Sequence, residues 1–240
     1  MNRVPDNNKR LYLTTPVPEH NDYINAVRCN SFKRKNAFIL TQVPLTNTRA
    51  DMWRLVADHS VDGIVLLDSL EDDQVYWPGK PKEKITFGAL SIEFLKETVD
   101  AYEGIVIRDF RFENKKRQRD NRNVRQWQFT AWKDTNKDFD NVSQLNILID
   151  LVNRYLNQRE EDRSVVIQCW DGTQKCGMYV AYSNSLEMLQ STRSFDVAFA
   201  VKQVRHVRPQ AFEEFKDLLA VYTWLLDSNK EDSTYYNAGR

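Results

Sequence analysis

Arg163-Ser-Val-Val-Ile-Gln-Cys-Trp-Asp-Gly-Thr-Gln-Lys-Cys-Gly177, with the apolar helical pattern that follows it, decides the fold. Val165, Val166 and Ile167 make Ser164 to Ile167 a short β-branched run, the pattern of a buried strand. A glycine-containing turn runs from Cys169 to Gly177, and Met178, Ala181, Leu186 and Leu189 then mark an amphipathic helix. Strand, tight loop and helix together aim backbone N–H groups and a helix N-terminus at one point. Such a point favours an anion and lowers the pKa of a thiol placed there. Cys169 closes the strand, so the stretch is a candidate for thiolate chemistry on a phosphate.

Outward from this stretch the chain reads as one α/β domain over residues 1–240, with no repeat, linker or composition shift. Upstream, Leu145, Leu148, Ile149, Val152 and Leu156 give a helix over Asn141 to Leu156 that packs beneath a sheet. Alternating apolar residues at Leu90, Ile92 and Phe94, at Ile105 to Phe112, and at Val124, Trp127 and Phe129 predict antiparallel strands. Gly63 to Leu67 is a continuous apolar run, the mark of a buried strand with parallel neighbours. Asn21 to Val27 and Ala37 to Gln42 are two further strands. Thr48 is the expected N-cap of a helix reaching Ser60, with Asp51 as a partial capping box. Leu70 to Lys84 reads as loop. Residues 1–20 hold Pro5, Pro16 and Pro18 and read as an irregular entry. Downstream, helices are expected over Phe195 to Val207 and Phe212 to Leu226, followed by a loose polar tail over 227–240.

Composition narrows the function classes. Lys+Arg and Asp+Glu are 34 each, so net charge marks no nucleic-acid or membrane surface. No apolar run approaches the roughly 18 residues of a membrane span, and the N-terminus shows no signal-peptide pattern. Cys29, Cys169 and Cys176 make no disulfide framework, and the spacing of three histidines gives no zinc grammar, so no metal or cofactor is expected. A reducing, cytoplasmic setting is the simpler expectation. Lys115 to Arg125 reads as a solvated hairpin tip or a basic docking patch; it has no interleaved aromatics, which weakens a nucleic-acid role.

The order of these pieces resembles the protein tyrosine phosphatase family over nearly the whole chain. Asn21-Asp-Tyr-Ile-Asn-Ala26, Thr41-Gln-Val-Pro-Leu45 followed by Thr48, Asp51, Met52 and Trp53, and Tyr76-Trp77-Pro78 are similar to family signatures in kind and order. The family's catalytic loop is His-Cys, five residues, Arg, then Ser or Thr. Its thiolate attacks phosphotyrosine and its arginine clamps the phosphoryl oxygens. On the resemblance, those positions hold Gln168, Cys169, Lys175 and Cys176, so the nucleophile alone is kept. Lysine is a point charge without arginine's planar fork. This change alone is worth about two to three decades of rate. Asp171 replaces a small loop residue and, if it points inward, repels phosphate and raises the Cys169 pKa. Trp170 adds bulk, and Cys176 replaces a hydroxyl that helps the thiolate leave.

Trp132-Lys-Asp134 resembles the family's Trp-Pro-Asp loop, with Asp134 in the general-acid position and Lys133 replacing a proline that fixes φ. The family's water-positioning glutamines fall on Glu213 and Asp217, and the tyrosine that stacks on the substrate ring has no equivalent. Such departures resemble the membrane-distal second phosphatase domain of receptor-type tyrosine phosphatases. That resemblance implies a pseudophosphatase with a regulatory or scaffolding role inside a single-pass receptor. Its partners would be proteins, a companion phosphatase domain among the candidates, with no membrane insertion of its own. The alternative is a weak or altered phosphatase using Cys169 and Asp134. Redox sensing by Cys169, resolved by Cys176, is a third reading.

Overall fold

The computed structural model describes residues 4–117, 120–132, 141–158 and 163–238. Among them the strands run β1 (Arg10–Tyr12), β2 (Tyr23–Cys29), β3 (Phe38–Gln42), β4 (Gly63–Leu66) and β5 (Lys84–Phe87). Then come β6 (Leu90–Tyr102), β7 (Ile105–Asn114), β8 (Asn121–Phe129) and β9 (Val165–Cys169). They form one mixed sheet in the order β1-β2-β3-β9-β4-β8-β7-β6-β5. The neighbours β3, β9, β4 and β8 are parallel, and antiparallel strands extend the sheet on both sides. The helices are α1 (Arg49–Asp58), α2 (Val142–Asn157), α3 (Gln174–Thr192), α4 (Val197–Val207) and α5 (Phe215–Ala238). This is the expected single-domain α/β fold, a twisted mixed sheet flanked by helices.

The apolar runs follow from burial on both faces. In β4, Ile64 and Leu66 enter a core shared with Trp53, Leu55 and Val56 of α1. Val65 and Leu67 enter the opposite core, with Leu148 of α2, Val180 of α3 and Leu225 of α5. β9 does the same, Val166 facing α1 while Val165 and Ile167 face the other helices. Alternation is lost because both faces are apolar. Burying each such side chain contributes about 1.5–3 kcal/mol. On the α1 side the hub is Trp53. Its ring stacks on Phe112 (6.5 Å), meets Phe110 edge-on (5.7 Å), and its Nε1 donates to the Tyr76 carbonyl at 2.8 Å.

Some local expectations are corrected. Thr48 precedes α1 but does not cap it with its side chain. Its Oγ1 accepts from Leu45 N at 2.9 Å, closing a 3-10 turn, and Asp51 is drawn instead to Arg54 (2.7 Å) and His20 (2.9 Å). The entry over residues 1–20 is not irregular throughout: β1 pairs Arg10 with Val27, and the three prolines lie outside it. Leu70 to Lys84 contains a 3-10 turn at Asp72–Gln74 and ends in the edge strand β5. The tail read as loose over 227–240 is helical to Ala238, because no glycine or proline interrupts the chain from Gln210 until Gly239. That helix starts at Phe215 rather than Phe212, whose φ of 59° is not helical.

Truncating the hub, Trp53→Ala, is expected to cost about 3–5 kcal/mol. Urea unfolding followed by circular dichroism measures it; a loss below about 1 kcal/mol would show that the ring cluster is not the packing centre on that face.

Candidate active site

Parallel strands present their C-terminal ends at one sheet edge, where ligands of open α/β sheets bind. Here Gln42 at the end of β3, Asp68 after β4, Trp132 after β8 and Cys169 at the end of β9 surround the loop that leads into α3. The loop is stitched to β3. Val43 N donates to the Cys169 carbonyl at 2.9 Å, and Gly172 N reaches the same oxygen at 3.2 Å. Gly172 has φ +68°, and a Cβ there would lie 2.6 Å from Gln42 N, so no other residue passes.

The loop's donors converge as the sequence predicts, and a carboxylate of the chain itself meets them. Asp171 points inward. Its Oδ1 accepts from Thr173 N at 2.8 Å, from Gln174 N at 3.2 Å and from the Cys169 thiol at 3.4 Å. This is a side chain folding back onto backbone two and three residues ahead, as at helix N-caps.

Cys169 is buried, and burial opposes its ionisation. Donation from the Cys176 thiol, 3.1 Å away, and from the N–H groups of Cys176 and Gly172 outweighs that penalty and holds the Cys169 thiol below its ordinary range. The net direction is downward even though the Asp68 carboxylate pushes the thiol the other way: hydrogen-bond donors decide it. Burial, then the neighbouring Cys169 sulfur, push the Cys176 thiol well up.

Lys175 forms a close ion pair with Asp68 and also donates to the Trp132 carbonyl at 3.3 Å. Asp68 accepts in addition from Trp170 N at 2.6 Å. The lysine charge therefore answers a carboxylate of the fold. The cavity above Cys169, about 440 Å³, is bounded by Asp68, Glu71, Asp171 and Lys175 among others. Among the described residues its walls carry more carboxylates than ammonium groups, a field that disfavours phosphate. Trp170 is 61% exposed, so its bulk lies at the rim, mostly in solvent.

Gln168 is buried beneath the loop. Its Oε1 accepts from the Tyr76 hydroxyl at 2.6 Å, its Nε2 donates to the Gln42 carbonyl at 3.2 Å, and Gln126 donates to the same tyrosine at 3.0 Å. Of the two late acids, Asp217 is buried and accepts from Gln174 Nε2 at 2.9 Å, whereas Glu213 lies at the surface before α5. Burial raises the Asp217 pKa. Lys133 and Asp134 lie outside the described residues. Trp132, which precedes them, is stacked on Trp224 at 5.6 Å and sits beside Lys175.

Sequence reasoning did not single out Asp68, Tyr76 or Arg208 as site residues. Asp68 carries a usable signal, an acid directly after an apolar parallel strand and hence at the ligand edge. Arg208 is fully buried and donates to Asn25 Oδ1 (2.7 Å) and to the carbonyls of Asn25 (3.0 Å) and Leu40 (3.1 Å); burial lowers its pKa. Nothing local in the sequence announces that role.

A cysteine at a strand end, an N–H-lined loop and a helix behind it define a phosphate-loop architecture. The model of the family described as "Protein-tyrosine phosphatase" matches residues 1–227, and the chain belongs to that family. It is 30% identical over 232 residues to the receptor-type tyrosine-protein phosphatase U of Gallus gallus, covering 95% of this chain and 16% of that protein. It is 29% identical over 230 residues to the receptor-type tyrosine-protein phosphatase epsilon of Homo sapiens, covering 91% of this chain and 32% of that protein. The chain thus spans a third or less of the length of these relatives.

Asp217→Asn tests the buried acid. A carboxyl whose folded pKa is raised stabilises the fold only while protonated, and that contribution is lost as pH rises through its folded pKa. Asparagine keeps the acceptor for Gln174, so the variant is expected to melt higher than wild type at pH 7. The two should converge as pH falls below the ordinary aspartate pKa of about 3.9. Melting temperatures across pH check this; a variant less stable at pH 7 would reverse the sign.

Proposed function

We propose that this chain is a pseudophosphatase domain with a regulatory or scaffolding role in receptor signalling, corresponding to a catalytically degenerate second domain of a receptor-type phosphatase. The observation that carries the reading is Asp171: its carboxylate accepts the loop N–H groups that would meet a phosphoryl oxygen. Lys175 supports it, since its ammonium is committed to Asp68. An incoming phosphate would have to displace one carboxylate and compete with a second for the lysine. Gln168 and Asp217 also replace the family's imidazole and water-positioning amide with groups tied into the fold.

In this reading the partners are proteins, a companion phosphatase domain of the same receptor among them, on the cytoplasmic side. The basic hairpin is a poor docking patch, because several of its arginines answer acids of the chain itself. Arg122 pairs with Asp62 (3.0 Å), Arg125 with Asp109 (2.6 Å) and Arg117 with Asp58 (3.6 Å). Among the described residues no helix is long and apolar enough to cross a membrane.

One observation favours the alternative of a weak phosphatase using Cys169 and Asp134: the Cys169 thiol stays easier to ionise than usual. Hydrolysis of a phosphotyrosine peptide decides, with Cys169→Ser as the blank. Turnover equal to the blank is expected; turnover abolished by Cys169→Ser would overturn the pseudophosphatase reading.

A second measurement isolates Asp171. Wild type is expected to show no thermal stabilisation by vanadate or tungstate. Asp171→Ala with Lys175→Arg should gain it, up to about 2.7 kcal/mol at a hundredfold excess over Kd. Wild type stabilised as much as the double variant would remove Asp171 as the block.

A further inference from the structure

The sheet ends at β5, which pairs with β6 and has no strand on its other side among the described residues. Bonded and unbonded residues alternate along an antiparallel pair. Phe94 N donates to the Glu83 carbonyl at 3.0 Å, so Glu83, Ile85 and Phe87 turn their backbone to β6. Lys84 and Thr86 therefore turn their N–H and C=O groups outward. A cavity of about 500 Å³ lies there, lined by Ile85, Thr86 and Phe87 in succession. Side chains of a strand alternate between faces, so three successive residues line one cavity only where it follows the strand's edge.

The opposite wall is the start of α1, with Asn47, Arg49 and Ala50. Thr48 does not cap that helix with its side chain, so its first turn keeps the partial positive charge of uncapped N–H groups. Arg49 Nη2 is bonded to the Asp73 carbonyl, but its buried Nε has no hydrogen-bond partner among the described residues. No carboxylate lines the cavity among those residues, and Asp51 of the same helix turn is already engaged by Arg54 and His20. Val75 and Trp77 add apolar surface. Apart from its shortness, β5 carries none of the usual guards of a free edge. It has no proline and no bulge, and Lys84 pairs across to Glu93 of β6 at 3.2 Å.

We infer that this groove docks an extended segment of a partner protein, which adds to β5 as a further strand and sets an acidic side chain against Arg49. The outward backbone groups of Lys84 and Thr86 supply the main-chain bonds, and Arg49 supplies the selection by charge. A second copy of the chain is the poorer occupant, because its own β5, Lys84-Ile-Thr-Phe87, offers a lysine and no acid. The groove lies five places along the sheet from β9. Docking there asks nothing of Cys169 or Lys175, so it holds whether or not the loop turns over phosphotyrosine.

The probe is a fluorescein-labelled strand peptide, Val-Thr-Val-Glu-Val-Thr, with lysine in place of the glutamate as its control. Fluorescence anisotropy with the full chain is expected to show the acidic peptide binding about tenfold more tightly, the worth of one charged hydrogen bond. Arg49→Ala should erase that difference. Thr86→Pro removes an outward N–H where edge strands tolerate proline, and should weaken both peptides about tenfold. Circular dichroism verifies that each variant is folded. Hydrogen exchange on wild type reads the same contact without a substitution: the acidic peptide should slow the Thr86 amide and leave β1, at the sheet's other end, unchanged. Absence of binding, equal binding of the two peptides, or protection at β1 in place of Thr86 would overturn the inference. So would concentration-dependent self-association of the chain alone that protects Thr86, since a second copy would then fill the groove.

Discussion

Four parallel strands buried on both faces set everything else. Because β3, β9, β4 and β8 run in one direction, their C-terminal ends reach the same edge. Residues far apart in sequence, Gln42, Asp68, Trp132 and Cys169, are delivered to one place. The antiparallel wings on either side carry no comparable constraint. They widen the sheet and close its cores, with Phe110 and Phe112 of β7 packing on Trp53.

At that edge the loop's backbone donors meet a charge that the chain itself supplies. The N–H groups still converge and still favour an anion, and Asp171 supplies one from within. Lys175 and Asp68 neutralise each other in the same way. Each of these side chains is locally satisfied: acid to backbone donor, ammonium to carboxylate, and the Gln168 amide to tyrosine. A buried polar group left unmet costs about 1–3 kcal/mol, and these pairings avoid that cost together.

The main fold was legible because the decisive runs are extreme. A segment like Ile64 to Leu67, apolar at every position, is a strand between two cores under almost any reading. The helices over Val142–Asn157 and Val197–Val207 were legible from their apolar stripes. Thr48 failed as a cap because a competing acceptor role in the preceding turn was invisible to pattern. β1 escaped because three residues between prolines carry no period, and its pairing with β2 is a long-range event. In the site, Asp171 was identified, but the Cys169 pKa direction was not. That direction depends on a sulfur contact across the loop and on backbone donors, which no spacing rule encodes. Lys175 was singled out from the sequence as a loop cation; that its charge is answered by Asp68 required the sheet order.

Gly172 bears on what the loop needs in order to keep its shape. The Cβ-sized space at that residue is filled by the backbone of Thr41 and Gln42, not by anything in the cavity. The path of the loop is dictated from beneath, by the neighbouring strand, and a ligand is not required to template it. A loop whose mould is the protein interior keeps its path whatever side chains line the cavity above it. Shape and charge at this edge are therefore set by separate parts of the chain, the first by the strand beneath and the second by the residues on top.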